Sequence, residues 1–168
     1  MRDHDDISEA VNSYADAVMR MCALYLRERA DREDVMQETF LRYAKHTQSF
    51  NDEEHKRAWL LRVAANLCKD VLKSAASKNE SLESMQEEQL FQVVDETADD
   101  GTAALERSDL MKALRSLDEK YRSVLYLTYF EGYTGAQVAK VLGIKENTVY
   151  SNLTRGKKIL KGVLERGR

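Results

Sequence analysis

The feature that most constrains the fold is a recurring helical spacing of apolar residues in a chain of 168 residues that lacks proline. Apolar side chains recur three and four positions apart from Val11 to Leu26, from Met36 to Ala44 and from Leu60 to Val71. This spacing places them on one face of an α-helix, and helices bury such faces against one another. Proline would end or kink these helices. The sequence therefore predicts an all-α fold.

Three helices are predicted in residues 1–78, which we expect to form a first small helical bundle. The first is expected from Val11 to Leu26. Asp31 can cap the second, because its carboxylate can accept a hydrogen bond from a backbone N–H of the first turn. This second helix is expected to end near residue 47 or 48, and the third to run from about Lys56 to Lys73.

Residues 79–101 differ sharply in charge from the rest of the chain. They contain eight acidic and no basic side chains, together with one apolar cluster at 90–94. Segments with high net charge and few apolar residues do not form a packed core. We predict an acidic linker here. A solvated spacer is the favoured interpretation, and a segment that docks on a partner is the alternative.

Residues 102–168 are predicted to form a second small bundle. They are basic, with 13 basic and seven acidic side chains. One helix is expected around Leu110, Ala113, Leu114 and Leu117. Asp118 can cap the next helix and Gly132 can end it.

The segment from Thr134 to Leu153 has the spacing of a helix-turn-helix. Thr134 and Gln137 can form a capping box at the start of its first helix. Ala139 is small enough for two helices to cross there, Gly143 can adopt the positive φ of the turn, and Val149 can lock the second helix. This second helix is expected from about Glu146 to Glu165.

The second helix of this motif carries polar and basic side chains that can face outward. Arginine, lysine, asparagine, serine and threonine are the types that contact phosphates and base edges. These features predict a DNA-binding face, and a helical hairpin with solvated lysines is the alternative. The residues assigned to this face are Asn147, Thr148, Tyr150, Ser151, Thr154, Arg155, Lys157 and Lys158.

Motifs typical of enzymes, metal sites and membrane segments were not found in the sequence. Cys22 and Cys68 do not form a C-x-x-C pair, and we interpret both as reduced core residues. The three histidines lack metal-ligand spacing, and neither a nucleophile elbow nor a glycine-rich phosphate loop is present. No cofactor, metal or catalytic role is therefore predicted. Without an apolar run near ~18 residues or a signal peptide, we expect a cytoplasmic protein without membrane insertion.

Two separate stretches resemble the extracytoplasmic-function (ECF) sigma factors of bacterial RNA polymerase. Asp34–Arg42 is similar to the family's polymerase-docking helix, and Ala58–Asn66 with Asp70 resembles its promoter-melting region. Leu114–Leu160 resembles its reader of the upstream promoter element. The resemblance implies a sigma factor that directs promoter-specific initiation, with core RNA polymerase, promoter DNA and an anti-sigma factor as partners.

The resemblance also implies roles for individual residues. Contacts with the clamp helices of the largest polymerase subunit are implied for Asp34, Gln37, Glu38 and Phe40. A loop that captures a flipped base of the non-template strand is implied for Phe50, Asn51, Asp52, Glu53, Glu54 and His55. Asn66 would read the downstream promoter element, and the DNA-binding face would read the upstream one. Trp59 is expected in the core.

Some positions depart from the family pattern. Asp118 and Lys145 stand where the family usually has proline and serine, and Asn147 where it usually has glycine. Arginines are frequent where Tyr150 and Asn152 stand. The promoter sequence therefore cannot be inferred from relatives.

Two other functions remain possible on the sequence alone. A stand-alone helix-turn-helix regulator would explain residues 102–168 but not the docking and melting segments of the first bundle. An all-helical adaptor or anti-sigma-like protein would show no salt-dependent DNA binding.

Overall fold

The computed structural model describes residues 1–78 and 109–166, and this part of the chain contains seven α-helices and no strand. The prediction of an all-α fold is confirmed. The chain divides into two compact units, of which residues 1–78 belong to the first and 109–166 to the second. The predicted acidic linker, 79–101, lies outside the described residues, as does its apolar cluster. Within the described helices, none is long and apolar enough to cross a bilayer.

The first unit is a three-helix bundle of α1 (His4–Tyr25), α2 (Arg29–Lys45) and α3 (Glu53–Lys78). Each of these helices packs against the other two. Their apolar faces meet in a core whose largest fully buried side chains are Tyr43, Met21, Leu24, Leu60 and Leu61. Cys22 and Cys68 are also buried there as free thiols.

Helix α1 begins earlier than predicted, at His4 instead of Val11. The Asp3 carboxylate caps it by accepting a hydrogen bond of 2.8 Å from the backbone N–H of Asp6. The first turns of α1 are polar, so the apolar spacing gave no signal for them. The start of this helix is instead set by a cap.

Helix α2 differs from the prediction at both ends. It begins at Arg29 after the N-cap residue Glu28, which makes no side-chain cap bond, so the prediction that Asp31 is the cap was wrong. Asp31 lies in the first turn, where its negative charge interacts favourably with the helix dipole. The helix ends at Lys45 rather than at residue 47 or 48, because the backbone of the C-cap residue His46 is extended, with φ −76° and ψ 117°. The backbone N–H of His46 still bonds back to the carbonyls of Arg42 and Tyr43.

Helix α3 also begins earlier than predicted, at Glu53 instead of Lys56. The Asp52 carboxylate accepts a hydrogen bond of 2.7 Å from the backbone N–H of His55. The His55 ring in turn accepts one of 3.0 Å at Nδ1 from the backbone N–H of Asn51. Together these two bonds stabilise the first turn of α3. The second half of the predicted base-capturing loop, residues 53–55, is therefore helical.

The second unit contains α4 (Asp109–Ser116), α5 (Glu119–Tyr129), α6 (Gly135–Leu142) and α7 (Glu146–Arg166). In α4 the predicted core residue Leu110 is 36% exposed, whereas Met111 is only 1% exposed. The other predicted positions, Ala113, Leu114 and Leu117, are buried as expected, so the buried face differs only in its first residue. Asp118 occupies the predicted N-cap position of α5 but makes no side-chain cap bond.

Candidate nucleic-acid interface

Local hydrogen bonds set the geometry of the helix-turn-helix formed by α6 and α7. The Thr134 hydroxyl accepts a bond of 3.2 Å from the backbone N–H of Gln137. The Gln137 side-chain oxygen accepts one of 2.9 Å from the backbone N–H of Thr134. Gly143 ends α6 with φ 68° and ψ 36°, in the left-handed region that favours glycine. The predicted capping box and glycine turn are both confirmed.

Helix α7 is held against the rest of its unit by apolar contacts and by one close backbone approach. Val149 is fully buried, as is Val138 on α6. At Gly156, an added Cβ would lie 3.1 Å from Leu125 Cδ1 and 3.3 Å from Tyr121 Cβ on α5. The glycine therefore lets α7 pack closely on α5.

The opposite side of α7 is exposed. Each of the eight residues assigned to the DNA-binding face lies there with an exposed side chain: Asn147, Thr148, Tyr150, Ser151, Thr154, Arg155, Lys157 and Lys158. Asn152, at a position where the family often has arginine, is buried instead. It therefore does not belong to this face.

Some side chains of the DNA-binding face are held by their neighbours. The Tyr150 hydroxyl donates a hydrogen bond of 3.2 Å to the Glu146 carboxylate, and this bond raises the pKa of Tyr150. The Thr154 hydroxyl donates one of 3.0 Å to the Tyr150 carbonyl. The Lys157 ammonium lies 5.1 Å from the ring centroid of Tyr129, within cation–π range.

In the first unit, the residues predicted to dock on polymerase do not all share one environment. Asp34, Gln37 and Glu38 are exposed on α2, whereas Phe40 is only 7% exposed and packs in the core. Leu41 is 53% exposed and continues the same helical stripe, seven positions after Asp34. Leu41 was not among the residues predicted to dock, although its helical spacing from Asp34 and Gln37 places it on the same face.

Aromatic side chains cluster where α2, the following loop and α3 meet. The Phe50 ring centroid lies 6.1 Å from that of Tyr43, 5.7 Å from that of Trp59 and 5.1 Å from that of His55. The His46 ring is 5.3 Å from Phe50 and 4.6 Å from Trp59. Phe50 and Trp59 are half-buried in this aromatic cluster rather than freely exposed.

The other residues predicted to contact downstream DNA are exposed. They are Asn51, Asp52, Glu53, Glu54 and His55 around the start of α3, and Asn66 further along that helix. The unit thus presents exposed polar groups at the start of α3 and further along it, together with a half-buried aromatic cluster at the start of this helix. Such a surface can offer hydrogen bonds and stacking contacts to an unpaired base.

Both units match family models. The model for Sigma-70 region 2 matches residues 10–78, and the model for Sigma-70 region 4 matches residues 107–160. Among curated proteins, the ECF RNA polymerase sigma factor SigL of Mycobacterium tuberculosis is 36% identical over 151 residues, which cover 89% of this chain and 84% of SigL. The chain belongs to the ECF RNA polymerase sigma factors. It directs promoter-specific transcription, as predicted, and no observation favours the stand-alone regulator.

A second relative also supports the assignment of the chain to the ECF sigma factors. The ECF RNA polymerase sigma factor SigW of Bacillus subtilis is 28% identical over 166 residues, which cover 95% of the chain and 89% of SigW. ECF sigma factors are regulatory proteins, and the family membership confirms core RNA polymerase and promoter DNA as partners.

Solved structures share the fold of the sigma factor. CnrH, in complex with the cytosolic domain of CnrY, has a TM-score of 0.70 and 20% identity, over 99% of this chain and 92% of CnrH. The sigma factor RpoE of Bartonella quintana, in complex with the anti-sigma factor NepR, also has a TM-score of 0.70 and 20% identity, over 97% and 99% of the two chains. At this identity the likeness concerns the fold.

Proposed function

We propose that the two units of this sigma factor divide promoter recognition between them. The first unit docks on core RNA polymerase and reads and opens the downstream element, while α7 of the second unit binds the upstream element. The observation that carries this proposal is that α7 exposes all eight residues of its DNA-binding face while Val149 on the opposite side is buried. A helix fixed in this way can enter a major groove.

Contacts of two kinds are expected at the upstream element. Arg155, Lys157 and Lys158 would neutralise phosphates or reach guanine, and the phosphate contacts make the affinity depend on salt. Asn147 and Ser151 are exposed in the first two turns, where a recognition helix contacts base edges. These short polar side chains would provide the sequence preference.

Docking on polymerase would use the exposed stripe on α2. Asp34 and Glu38 supply negative charge, and Glu38 is held by an ion pair of 3.2 Å with Arg42. We assign Phe40 an indirect role, because its buried ring anchors the helix whose outer face makes the contact.

At the downstream element, Asn66 would read a base edge, and the loop before α3 would hold an unpaired base. The Asn66 amide both donates and accepts hydrogen bonds, as a base edge requires. The sigma factor would contribute no catalytic group of its own, since nucleotide addition belongs to the polymerase. It would act in the cytoplasm, where that enzyme is found.

We also propose an anti-sigma factor as a partner. The sigma factor RpoE of Bartonella quintana, which shares the fold, was solved with the anti-sigma factor NepR. Such a partner would compete with polymerase for the exposed stripe on α2.

Run-off transcription with purified core polymerase on a library of promoter fragments tests the proposal. The sigma factor should produce transcripts from a subset of promoters that share two sequence elements. DNA binding without any run-off transcript would contradict the proposal and favour a stand-alone regulator.

Charge reversal tests the docking surface. Asp34→Lys with Glu38→Lys should abolish co-purification with core polymerase, because it opposes the charge complementarity of the interface. Glu9→Lys with Asp16→Lys, a matched reversal of two exposed carboxylates on α1, should leave co-purification unchanged. If the two double variants co-purify with core polymerase to the same extent, the docking assignment is refuted.

Alanine variants test the DNA-binding face. Arg155→Ala and Lys157→Ala should each weaken binding to the upstream element by ~1 to 3 kcal/mol and lower the salt dependence where a phosphate contact is lost. If both variants bind like the original protein across a salt series, the assignment of these residues to DNA binding is wrong.

A further inference from the structure

The segment that precedes α1 is tied to the end of α2 by Arg2. The backbone N–H of Arg2 donates a hydrogen bond of 2.8 Å to the Ala44 carbonyl. Its guanidinium donates from Nε to the Tyr43 carbonyl at 3.1 Å and from Nη2 to the Gln48 carbonyl at 2.8 Å. Nη1 forms an ion pair of 3.1 Å with Asp6. Arg2 thus joins α1, the end of α2 and the following loop.

These bonds meet a need of the backbone. The last carbonyls of a helix lack intrahelical partners, and the C-terminal end carries partial negative charge. Arg2 donates to two carbonyls of the last turn of α2, at Tyr43 and Ala44, and to a loop carbonyl at Gln48. For the Tyr43 carbonyl, which also accepts from the backbone N–H of His46, the bond from Arg2 is a second one. A planar guanidinium can make several such bonds in fixed directions, which an ammonium cannot.

The same guanidinium lies on the aromatic cluster. Its central carbon is 4.4 Å from the ring centroid of Tyr43 and 5.1 Å from that of Phe50. On its other sides Phe50 contacts Trp59 and His55. Arg2 therefore limits both the path of the loop and the position of Phe50, the first of the residues predicted to capture the flipped base.

Burial separates this role from a direct contact with DNA. The Arg2 side chain is only 15% exposed, whereas Asn51 and Asp52 of the loop are exposed. A phosphate contact would require an accessible cation. The buried Arg2 guanidinium is therefore suited to hold the loop in place from its protein-facing side.

We propose that Arg2 is a positioning residue for the loop of residues 47–52, and that it sets how strictly this sigma factor selects the unpaired base at the downstream element. The inference rests on the proposed role of the loop in base capture. Loss of the guanidinium would free the Gln48 carbonyl and the Phe50 ring, so that the pocket would accept the wrong base more readily.

The test uses the full chain with core polymerase and variants Arg2→Gln and Arg2→Lys. Run-off rates are measured on promoters that carry each of the four bases at each downstream position. Both variants should lose base discrimination by about tenfold, within the range that one oriented base contact contributes. Discrimination is a ratio of rates from one preparation, so a smaller folded fraction does not change it.

Controls separate positioning from charge and from folding. Lys73→Gln, which removes an exposed cation from α3, should keep the original discrimination. The salt dependence of promoter binding should be unchanged in both Arg2 variants, because no phosphate contact is lost.

Each outcome has a clear meaning. Unchanged discrimination in both Arg2 variants overturns the inference, as does full discrimination in Arg2→Lys alone, which would show that charge suffices. A reduced salt slope would assign Arg2 to the DNA contact itself and overturn the positioning role. If the original protein shows no dependence on the downstream base, the proposed function of the loop fails instead.

Discussion

The aromatic ring of Tyr150 on α7 lies against Gly135, the first residue of α6, so closely that a Cβ atom on Gly135 would be 2.6 Å from Tyr150 Cζ. The hydroxyl of the same ring bonds to Glu146 one turn earlier on α7. Tyr150 is the only aromatic residue of the DNA-binding face. Its ring can lie in this position because Gly135 on the neighbouring helix has no side chain.

Gly135→Ala should displace the Tyr150 ring. Because the clash involves the end of an exposed side chain, the free energy of unfolding should change by less than about 1 kcal/mol. Affinity for the upstream promoter element should fall, as measured by fluorescence anisotropy. In a Tyr150→Ala background Gly135→Ala should have no further effect on affinity, and an additive loss in the double variant would contradict the coupling.

Gly156→Ala should destabilise the second unit. Glycine to alanine in a helix gains about 1 kcal/mol, but overpacking against the buried Leu125 costs about 1 to 3 kcal/mol. Gly162→Ala is the matched control on α7, since its Cβ would meet only Arg166 Nη2 at 4.0 Å, and it should stabilise. Urea unfolding followed by circular dichroism compares them, while fluorescence of the single tryptophan, Trp59, reports the first unit. Equal stabilisation by both changes would refute the close packing of α7 on α5.

Asn66→Ala should impair promoter opening without loss of helix content or polymerase binding. Asn66 is exposed on α3, so alanine leaves no cavity. The loss should equal the ~1 to 3 kcal/mol of one base contact and should depend on the downstream base. Permanganate footprinting on original and base-substituted promoters measures the extent of promoter opening. An equal loss on every promoter, accompanied by a lower Tm, would instead indicate a structural role.

The thiols of Cys22 and Cys68 should not react in the folded protein. Both are fully buried, and the pKa of Cys68 is raised by its hydrogen bond with Cys22 and by burial. Because the thiolate is the reactive form, labelling with a disulfide reagent at mildly alkaline pH should be slow. Both thiols should label at once in guanidinium chloride, and fast labelling without denaturant would contradict this.

Asp6 should stabilise the first unit at neutral pH more than at acid pH. Its pKa lies below the usual 3.8, chiefly because its carboxylate accepts a hydrogen bond from the Tyr43 hydroxyl, with a further contribution from Arg2. A lowered pKa in the folded state gives stability that is present above the unfolded-chain pKa and lost as the pH falls through the folded value.

Asp6→Asn should therefore lower Tm at pH about 6, and the difference should shrink towards pH about 2.5. Asp16→Asn, at an exposed position in the middle of α1, is the control and should leave Tm unchanged at both pH values. A Tm difference for Asp6→Asn that is constant with pH would contradict the role of its charge.

Much of the second unit could be predicted from the sequence. The capping box of Thr134 and Gln137 and the turn at Gly143 form between residues a few positions apart, so their spacing is sufficient to predict them. The exposed face of α7 follows from helical periodicity once Val149 is assigned to the core. Family resemblance added the functions of these surfaces, and the match to known sigma factors confirmed the family.

Other features depended on the tertiary structure. Arg2 bonds to the Tyr43 carbonyl, 41 positions later in the chain, and a contact at this separation cannot be predicted from local sequence patterns. Periodicity placed Phe40 on the buried face of α2, but the family resemblance assigned it to docking, and only the structure identified the exposed Leu41 as available for that contact. The sequence by itself determined the helices and the capping box and glycine turn of α6, because these depend on neighbours within about one turn. The position of the loop before α3 was decided only when α1, α2 and α3 packed together, because the groups that hold it belong to segments far apart in the chain.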